Sequence, residues 1–230
     1  MYPKESIVDP ELMTTLSSRG IAGPGFDALA HAIESFLSVR ANPFSKLYSR
    51  QAILWLSEGL PKVQANPSDL ETWERVALGS TFAGIAIGNA GCTAPHGIEH
   101  PISGLLNVAH GEGLAAIYPE YMRFMRPHAQ ADFAELARLL GAETSGLTEE
   151  EASLRAVEQV DALLKTLGIA FTLSDLGVRE SQLDWLSRTA GVEIGCCRPG
   201  TALDSMPAVF ANNPAAMTSE DVKTILERRL

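Results

Sequence analysis

Cysteine is scarce in this chain of 230 residues: Cys92, Cys196 and Cys197 are all it has. An odd count with two adjacent residues is no disulfide framework, and a reducing cytoplasm is the expected setting. No C-x-x-C pair occurs, which removes the common cysteine zinc sites. Basic residues are also in short supply, with 18 Lys and Arg against 28 Asp and Glu and a formal net charge of −10. That balance argues against a nucleic-acid partner, because phosphate binding needs clustered Lys and Arg. No uninterrupted hydrophobic run is long enough to suggest a membrane span. The nearest approach, "VALGSTFAGIAIGNAG", is broken by Gly, Ser and Thr and preceded by Glu74 and Arg75, and it reads as a buried core helix, with no membrane partner expected. The first residues, "MYPKESIVDPEL", lack the basic stretch leading into an apolar run that marks a signal peptide. Period-two alternation is nearly absent, so strand is expected only around "ESIVDPEL". The glycine cluster "GIAGPG" at 20–25 lacks the G-x-G-x-x-G order, follows no strand of a βαβ unit, and reads as a turn into a helix.

What is present is helical periodicity. "FDALAHAIESFLSVR" puts Phe26, Leu29, Ile33, Phe36 and Leu37 on one stripe. Pro43 opens the next helix. "SDLETWERVALGSTFAGIAIGNA" carries Ser68 as a candidate cap with Glu71 in capping-box position, and its apolar second half is expected to be buried. "HGIEHPISGLL" and "HGEGLAAIYPEYMRFM" are two shorter helices joined by "NVA". "ADFAELARLL", "EEASLRAVEQVDALLKTL", "ESQLDWLSRTA" and "SEDVKTILERRL" follow in the same period, and "CCRPGTALDSMPAVFANNPAA" reads as a long irregular stretch. The pattern predicts an all-α, multi-helix bundle, with residues 1–20 as a short extended junction and 21–230 as the helical unit.

Histidine is the residue whose placement is unusual. Of five in the chain, His96, His100 and His110 fall within seventeen residues. His96 and His100 are four apart and share a helix face, and Gly111 lets the backbone approach closely beside His110. Upstream, Asp27 and His31 form a second i,i+4 pair. A single histidine on an apolar face is ordinarily a satisfied core or surface residue, and His128 is read that way. Asp27 alone would fit a first-turn carboxylate at a helix N-terminus. Together, Asp27, His31, His96 and His110, with His100 nearby, make a mixed oxygen and nitrogen set suited to Fe²⁺ or Zn²⁺ and poorly matched to Ca²⁺ or Mg²⁺.

These residues also carry a resemblance. "GFDALAHAIESF" resembles the D-x-x-x-H helix of the iron-containing (group III) alcohol dehydrogenases, and "GNAGCTAPHGIEHPISGLLNVAHGEG" resembles their histidine signature, H-x-x-x-H with H-G ten residues on. The likeness runs from "SIVDPEL" to "ANNPAAMTSEDVKTIL". It implies the helical C-terminal domain of a two-domain, dehydroquinate synthase-like architecture. It further implies a metal, Fe²⁺ or Zn²⁺, held by Asp27, His31, His96 and His110, with His100 near the nicotinamide and the metal. The implied activity is NAD(P)-dependent alcohol dehydrogenase or aldehyde reductase, with hydride passing between nicotinamide and a small alcohol or carbonyl substrate. A homo-oligomer is also expected. The α/β domain that binds NAD(P) in the family has no counterpart in these residues, so the chain alone is expected to be catalytically incomplete. The sequence departs from the family pattern at Thr93, Pro95, Ala109 and Glu99, and Glu99 is read as helix surface or a contact to a neighbouring segment. Phe82, Ile85 and Phe210 are weighed as pocket walls against plain core. The competing expectations are a metal-dependent hydrolase, which lacks H-E-x-x-H here, and a non-catalytic metal-binding domain.

Overall fold

The computed structural model describes residues 4–192 and 206–230; Cys196 and Cys197 lie outside them. Among the described residues there is helix and no strand. The expected strand near the N-terminus is instead irregular chain ending in a 3₁₀ turn, Pro10–Met13, capped by Asp9. Ile7 is almost fully exposed, so the segment has no partner to ladder with. Helix is also under way before residue 21, which moves the boundary drawn from the sequence.

Helix α1 spans Ser18–Leu37 and starts where the Ser17 hydroxyl accepts the Gly20 N–H at 3.1 Å. The "GIAGPG" cluster is therefore inside a helix, with Pro24 in its interior. Asp27 consequently sits mid-helix, away from the free N–H groups of the first turn, and the dipole account of it falls. Helices α2 (Pro43–Ala65) and α3 (Leu70–Ala90) follow through short loops and pack with α1 as a three-helix group. Their closeness is set by glycine notches. A Cβ on Gly25 would lie 2.3 Å from Leu60 Cδ2, one on Gly59 2.6 Å from Val76 Cγ2, and one on Gly79 3.0 Å from Leu56 Cγ. Asp69, one residue beyond the expected Ser68, caps α3 by accepting the Thr72 N–H. The second half of α3 is only half buried: Ala83, Ala86 and Ala90 face the core while Leu78, Gly84 and Gly88 are exposed. Among the described residues no single helix is long and apolar enough to cross a membrane.

Helix α4 (Ala94–Leu106) ends at Asn107, whose left-handed φ of 54° breaks the chain direction, and α5 (His110–Met125) begins three residues later. The remaining helices are α6 (Gln130–Leu139), α7 (Glu149–Thr166), α8 (Leu183–Ser187), α9 (Met206–Ala211) and α10 (Ser219–Glu227). Helix α9 lies inside the stretch expected to be irregular; residues 196–205 of that stretch are outside the described residues. The core is one continuous cluster in which Phe26, Leu29, Ile33 and Phe36 of α1 meet Ile53 and Leu56 of α2 and Tyr118, Tyr121 and Met122 of α5. Fully burying a side chain of this size stabilises by about 1.5–3 kcal/mol.

The contact that positions α5 is backbone against backbone. A Cβ on Gly111 would lie 2.1 Å from the Gly23 carbonyl oxygen. Because neither atom can rotate away, Gly111→Ala must push α5 off α1. It is expected to cost about 1–3 kcal/mol or more, lowering the thermal midpoint by roughly 2–4 °C per kcal/mol for a domain of this size. Gly84 has nothing within 4 Å of its Cβ position, and Gly84→Ala should instead raise stability by about 0.5–1 kcal/mol through helix propensity. Thermal unfolding of the two variants checks this; a Gly111→Ala chain as stable as wild type would mean that the helices do not meet there.

Candidate metal centre

Helix α1 runs through the centre of the bundle and presents Asp27, His31 and Glu34 at i, i+4 and i+7, which is one face. The N-terminal turns of α4 and α5 bring His96 and His110 onto that face. The Asp27 carboxylate is the hub: its Oδ1 lies 3.2 Å from His96 Nε2, 3.5 Å from His110 Nε2 and 3.7 Å from His31 Nδ1. The ligand atoms of Asp27, His96 and His110 all fall within 4.8 Å of one another. His31 stacks on His96 with ring centroids 4.4 Å apart, and its nitrogen, His96 and the Cys92 thiol form a second such group. All four sequence-predicted ligands are thus brought together. His100 is not among them. It is exposed, with its ring 5.5 Å from that of His110 and 6.3 Å from that of His96. His128 sits apart in a 3₁₀ turn beside Phe124.

The spacing argument missed two carboxylates. Glu34 is fully buried. Its Oε1 accepts from His96 Nδ1 at 2.8 Å, and its Oε2 accepts the Thr93 N–H at 2.8 Å. It therefore serves the imidazole and the start of α4 together, where Thr93 makes no side-chain cap of its own. Asn213 completes that cap by accepting the Ala94 N–H at 3.1 Å, and the Tyr121 hydroxyl donates to Thr93 Oγ1 at 2.9 Å. The signal was in the sequence, since Glu34 continues the face of Asp27 and His31. The second is Glu99. Far from being helix surface, it is fully buried, and its carboxylate takes His110 Nδ1. Nothing in a helical pattern announces that, because the partner is on another helix.

Charge follows from this geometry. Burial disfavours protonated His96, but Glu34 and Asp27 outweigh it and push the imidazole up to about 10. His110 is likewise pushed up to about 9, against its burial, by Asp27 and Glu99. Asp27 is held well below the usual carboxylate range: burial opposes this, and hydrogen bonds from His110 and His96 prevail. His31 and His100 move down, chiefly by burial, and burial with the Glu34 charge raises the Cys92 thiol. Metal-free, the Nε2 positions of His96 and His110 carry protons pointing at Asp27. A cation placed there would take over those protons' role with the same lone pairs.

A cleft of about 190 Å³ opens beside this cluster, walled by Arg19, Pro24, Asp27, Ala109, His110 and Glu112. Arg19 Nε and Nη2 hold the two oxygens of Glu112 at 2.5 and 2.8 Å, so the rim is ionic but internally paired. The residues weighed as pocket walls against core do not line this cleft. Phe82 packs edge-on to Tyr48 and beside Trp55 at the outer face of α2 and α3, with Ile85 on the same half-buried helix. Phe210 covers Gly97, where a Cβ would lie 2.7 Å from its ring.

Comparison with known proteins agrees with this picture. The description of the Fe-containing alcohol dehydrogenase family, C-terminal, matches residues 21–230. The chain belongs to that family. The chain is 34% identical over 222 residues to the long-chain-alcohol dehydrogenase 1 of Geobacillus thermodenitrificans, covering 96% of this chain and 53% of that protein. It is 31% identical to the NAD-dependent methanol dehydrogenase of Bacillus methanolicus, covering 99% and 56%. The solved structure of a 1,3-propanediol oxidoreductase superposes with a TM-score of 0.87 at 29% identity, covering 96% of this chain and 55% of the other. The chain therefore spans about half the length of the relatives it matches, and within the iron-containing alcohol dehydrogenases it corresponds to the helical C-terminal domain.

The raised imidazoles give a sign for stability. An unfolded histidine titrates near 6.5. Both folded values lie above it, so their contribution is complete below about pH 6.5 and is lost as pH rises through the folded values. The metal-free chain should lose several degrees of thermal midpoint between pH 7 and pH 10. The gap between wild type and His110→Gln should be widest near pH 6.5 and close toward pH 10. A gap that stays constant with pH would show that the His110 charge is not coupled to folding.

Proposed function

We propose that this chain is the metal-holding part of an NAD(P)-dependent alcohol dehydrogenase or aldehyde reductase acting on a small alcohol or carbonyl substrate. The observation that carries the reading is the convergence of His96, His110 and His31 on one carboxylate oxygen of Asp27, in a chain of this family. The donor set, one carboxylate and three imidazoles, fits Fe²⁺ and equally Zn²⁺. The relatives' names supply iron and NAD. When bound, such an ion supplies Lewis acidity toward an alcohol or carbonyl oxygen, and the nicotinamide supplies or accepts the hydride.

The chain's own residues do the rest. Asp27, His31, His96 and His110 would hold the ion, with Asp27 and His110 reaching the cleft. Glu34 orients His96 and joins it to the start of α4. The Gly23–Gly111 contact keeps Asp27 and His110 in register. His100, exposed on α4 next to His110, is placed to carry a proton between the site and solvent or to align the nicotinamide ring. The chain spans about half the length of its relatives, and we infer that the adenosine and phosphates are held by a part of the enzyme outside these 230 residues. The same reading places the protein in the cytoplasm, as a homo-oligomer.

The test is metal stoichiometry with NAD-linked turnover of primary alcohols and aldehydes. His96→Ala and His110→Ala should each abolish tight binding of a divalent transition metal, whereas His128→Ala should leave it unchanged. His100→Ala should keep the metal but reduce turnover when the rest of the enzyme is supplied. Metal retained by His110→Ala and lost by His128→Ala would refute the assignment, and His100→Ala losing metal as fully as His96→Ala would make His100 a ligand.

A further inference from the structure

Glu99 has no exposed side-chain surface. Its partners are few and specific. One carboxylate oxygen takes Nδ1 of His110, and the other takes the hydroxyl of Ser103, one turn further along α4. Among the described residues no lysine or arginine and no backbone N–H contacts it, so the hydrogen bonds and any positive charge at or beyond His110 must offset its desolvation. The neighbouring helix is shaped around it. A Cβ on Gly113, four residues into α5, would lie 2.5 Å from Glu99 Oε1 and 2.9 Å from its Cγ. Glycine in a helix interior is unfavourable relative to alanine, and this one leaves room for a carboxylate and little else.

The arrangement on His110 mirrors that on His96. Each ring turns Nε2 toward Asp27 and gives Nδ1 to a buried glutamate, Glu34 for His96 and Glu99 for His110. An imidazole that donates Nδ1–H presents Nε2 as its bare nitrogen, and a carboxylate partner makes that nitrogen the better donor to a cation. The two glutamates differ in what else they hold. Glu34 also anchors the Thr93 backbone, so its loss would disturb the start of α4. Among the described residues Glu99 anchors no backbone group, so its loss should act on His110.

Resting on the metal reading above, we propose that Glu99 is a positioning residue of the metal centre: it fixes His110 as the Nδ1–H tautomer with Nε2 toward Asp27, and Gly113 is the notch that admits it. The carboxylate also lies within 4.8 Å of ligand atoms of His100 and His110. A role as a direct ligand would require it to release Nδ1, and the experiment separates the two.

The probes are Co²⁺ titration of the full chain and ¹⁵N NMR of its histidines loaded with Zn²⁺. Glu99→Gln keeps the volume and an accepting oxygen but loses the charge; Glu99→Ala loses both. Each should bind one Co²⁺ per chain, more weakly than wild type by roughly 10-fold for Gln and up to about 100-fold for Ala, with an altered visible spectrum and unchanged helical circular dichroism. Gly113→Ala should weaken Co²⁺ binding in the wild-type background and have no effect in Glu99→Ala. In Zn²⁺-loaded wild type, His110 should show a protonated Nδ1 and a metal-bound Nε2. Should Glu99→Ala fail to fold, Glu99→Gln carries the comparison alone. Wild-type affinity and spectrum in Glu99→Gln and Glu99→Ala would overturn the proposal while leaving the metal site intact, as would a metal-bound Nδ1 on His110. Equal Co²⁺ binding by wild type and His110→Ala would overturn the metal reading itself, and this proposal with it.

Discussion

The close approach of α5 to α1, with Gly111 against the Gly23 carbonyl, is the constraint on which the site depends. It lies one turn before Asp27 on α1 and beside His110 on α5. Moving it by the width of a methyl group would separate Asp27 from His110. Two i,i+4 spacings bring side chains onto a common face within a helix, but only helix-to-helix distance decides whether faces on different helices can meet. Here that distance is set by glycine, which lets one backbone touch another. Glycine also brings α2 close to α1, where Gly25 leaves room for the Leu60 side chain, and α3 close to α2, where Gly59 leaves room for Val76, so the central helix is held at close range by both α5 and α2.

Around this frame Glu34 and Glu99 are fully buried and Asp27 partly so, and among the described residues the positive groups that contact these three carboxylates are imidazoles, whereas buried Glu112 is paired with Arg19. Such an arrangement is unfavourable unless each oxygen is hydrogen-bonded and charge is balanced nearby. Glu34 meets the first requirement with His96 and the Thr93 N–H, and Glu99 with His110 and Ser103. Protonated His96 and His110 meet the second when the site is metal-free, and a divalent ion would do so when it is filled. The polar cluster thus ties α1, the start of α4 and the start of α5 together, and the same bonds aim two Nε2 atoms at one point.

Much of this was legible in residue order. The 3.6-residue period gave the helices and their all-α class, the D-x-x-x-H and H-x-x-x-H spacings with the H-G ten residues on drew attention to Asp27 and the four histidines, and the family resemblance singled out Asp27, His31, His96 and His110 among them. Where local reasoning failed, tertiary context had overridden a local signal. "GIAGPG" looks like a breaker, yet its glycines are packing notches within α1. The apolar second half of α3 looks like core, yet only its alanine stripe faces inward. Glu99 looks like surface between Ile98 and His100, yet a gap at Gly113 on another helix takes it in.

Taken alone, the sequence determined the helices, the identity of the residues able to bind a metal, and the family to which they belong, because all three are written in local spacing and side-chain chemistry. It could not determine which nitrogen of each imidazole faces Asp27, or that Glu34 and Glu99 stand behind two of the rings. Those depend on how α1, α4 and α5 cross. The crossing is set by contacts between residues as far apart in the chain as Gly23 and Gly111, which no local pattern encodes.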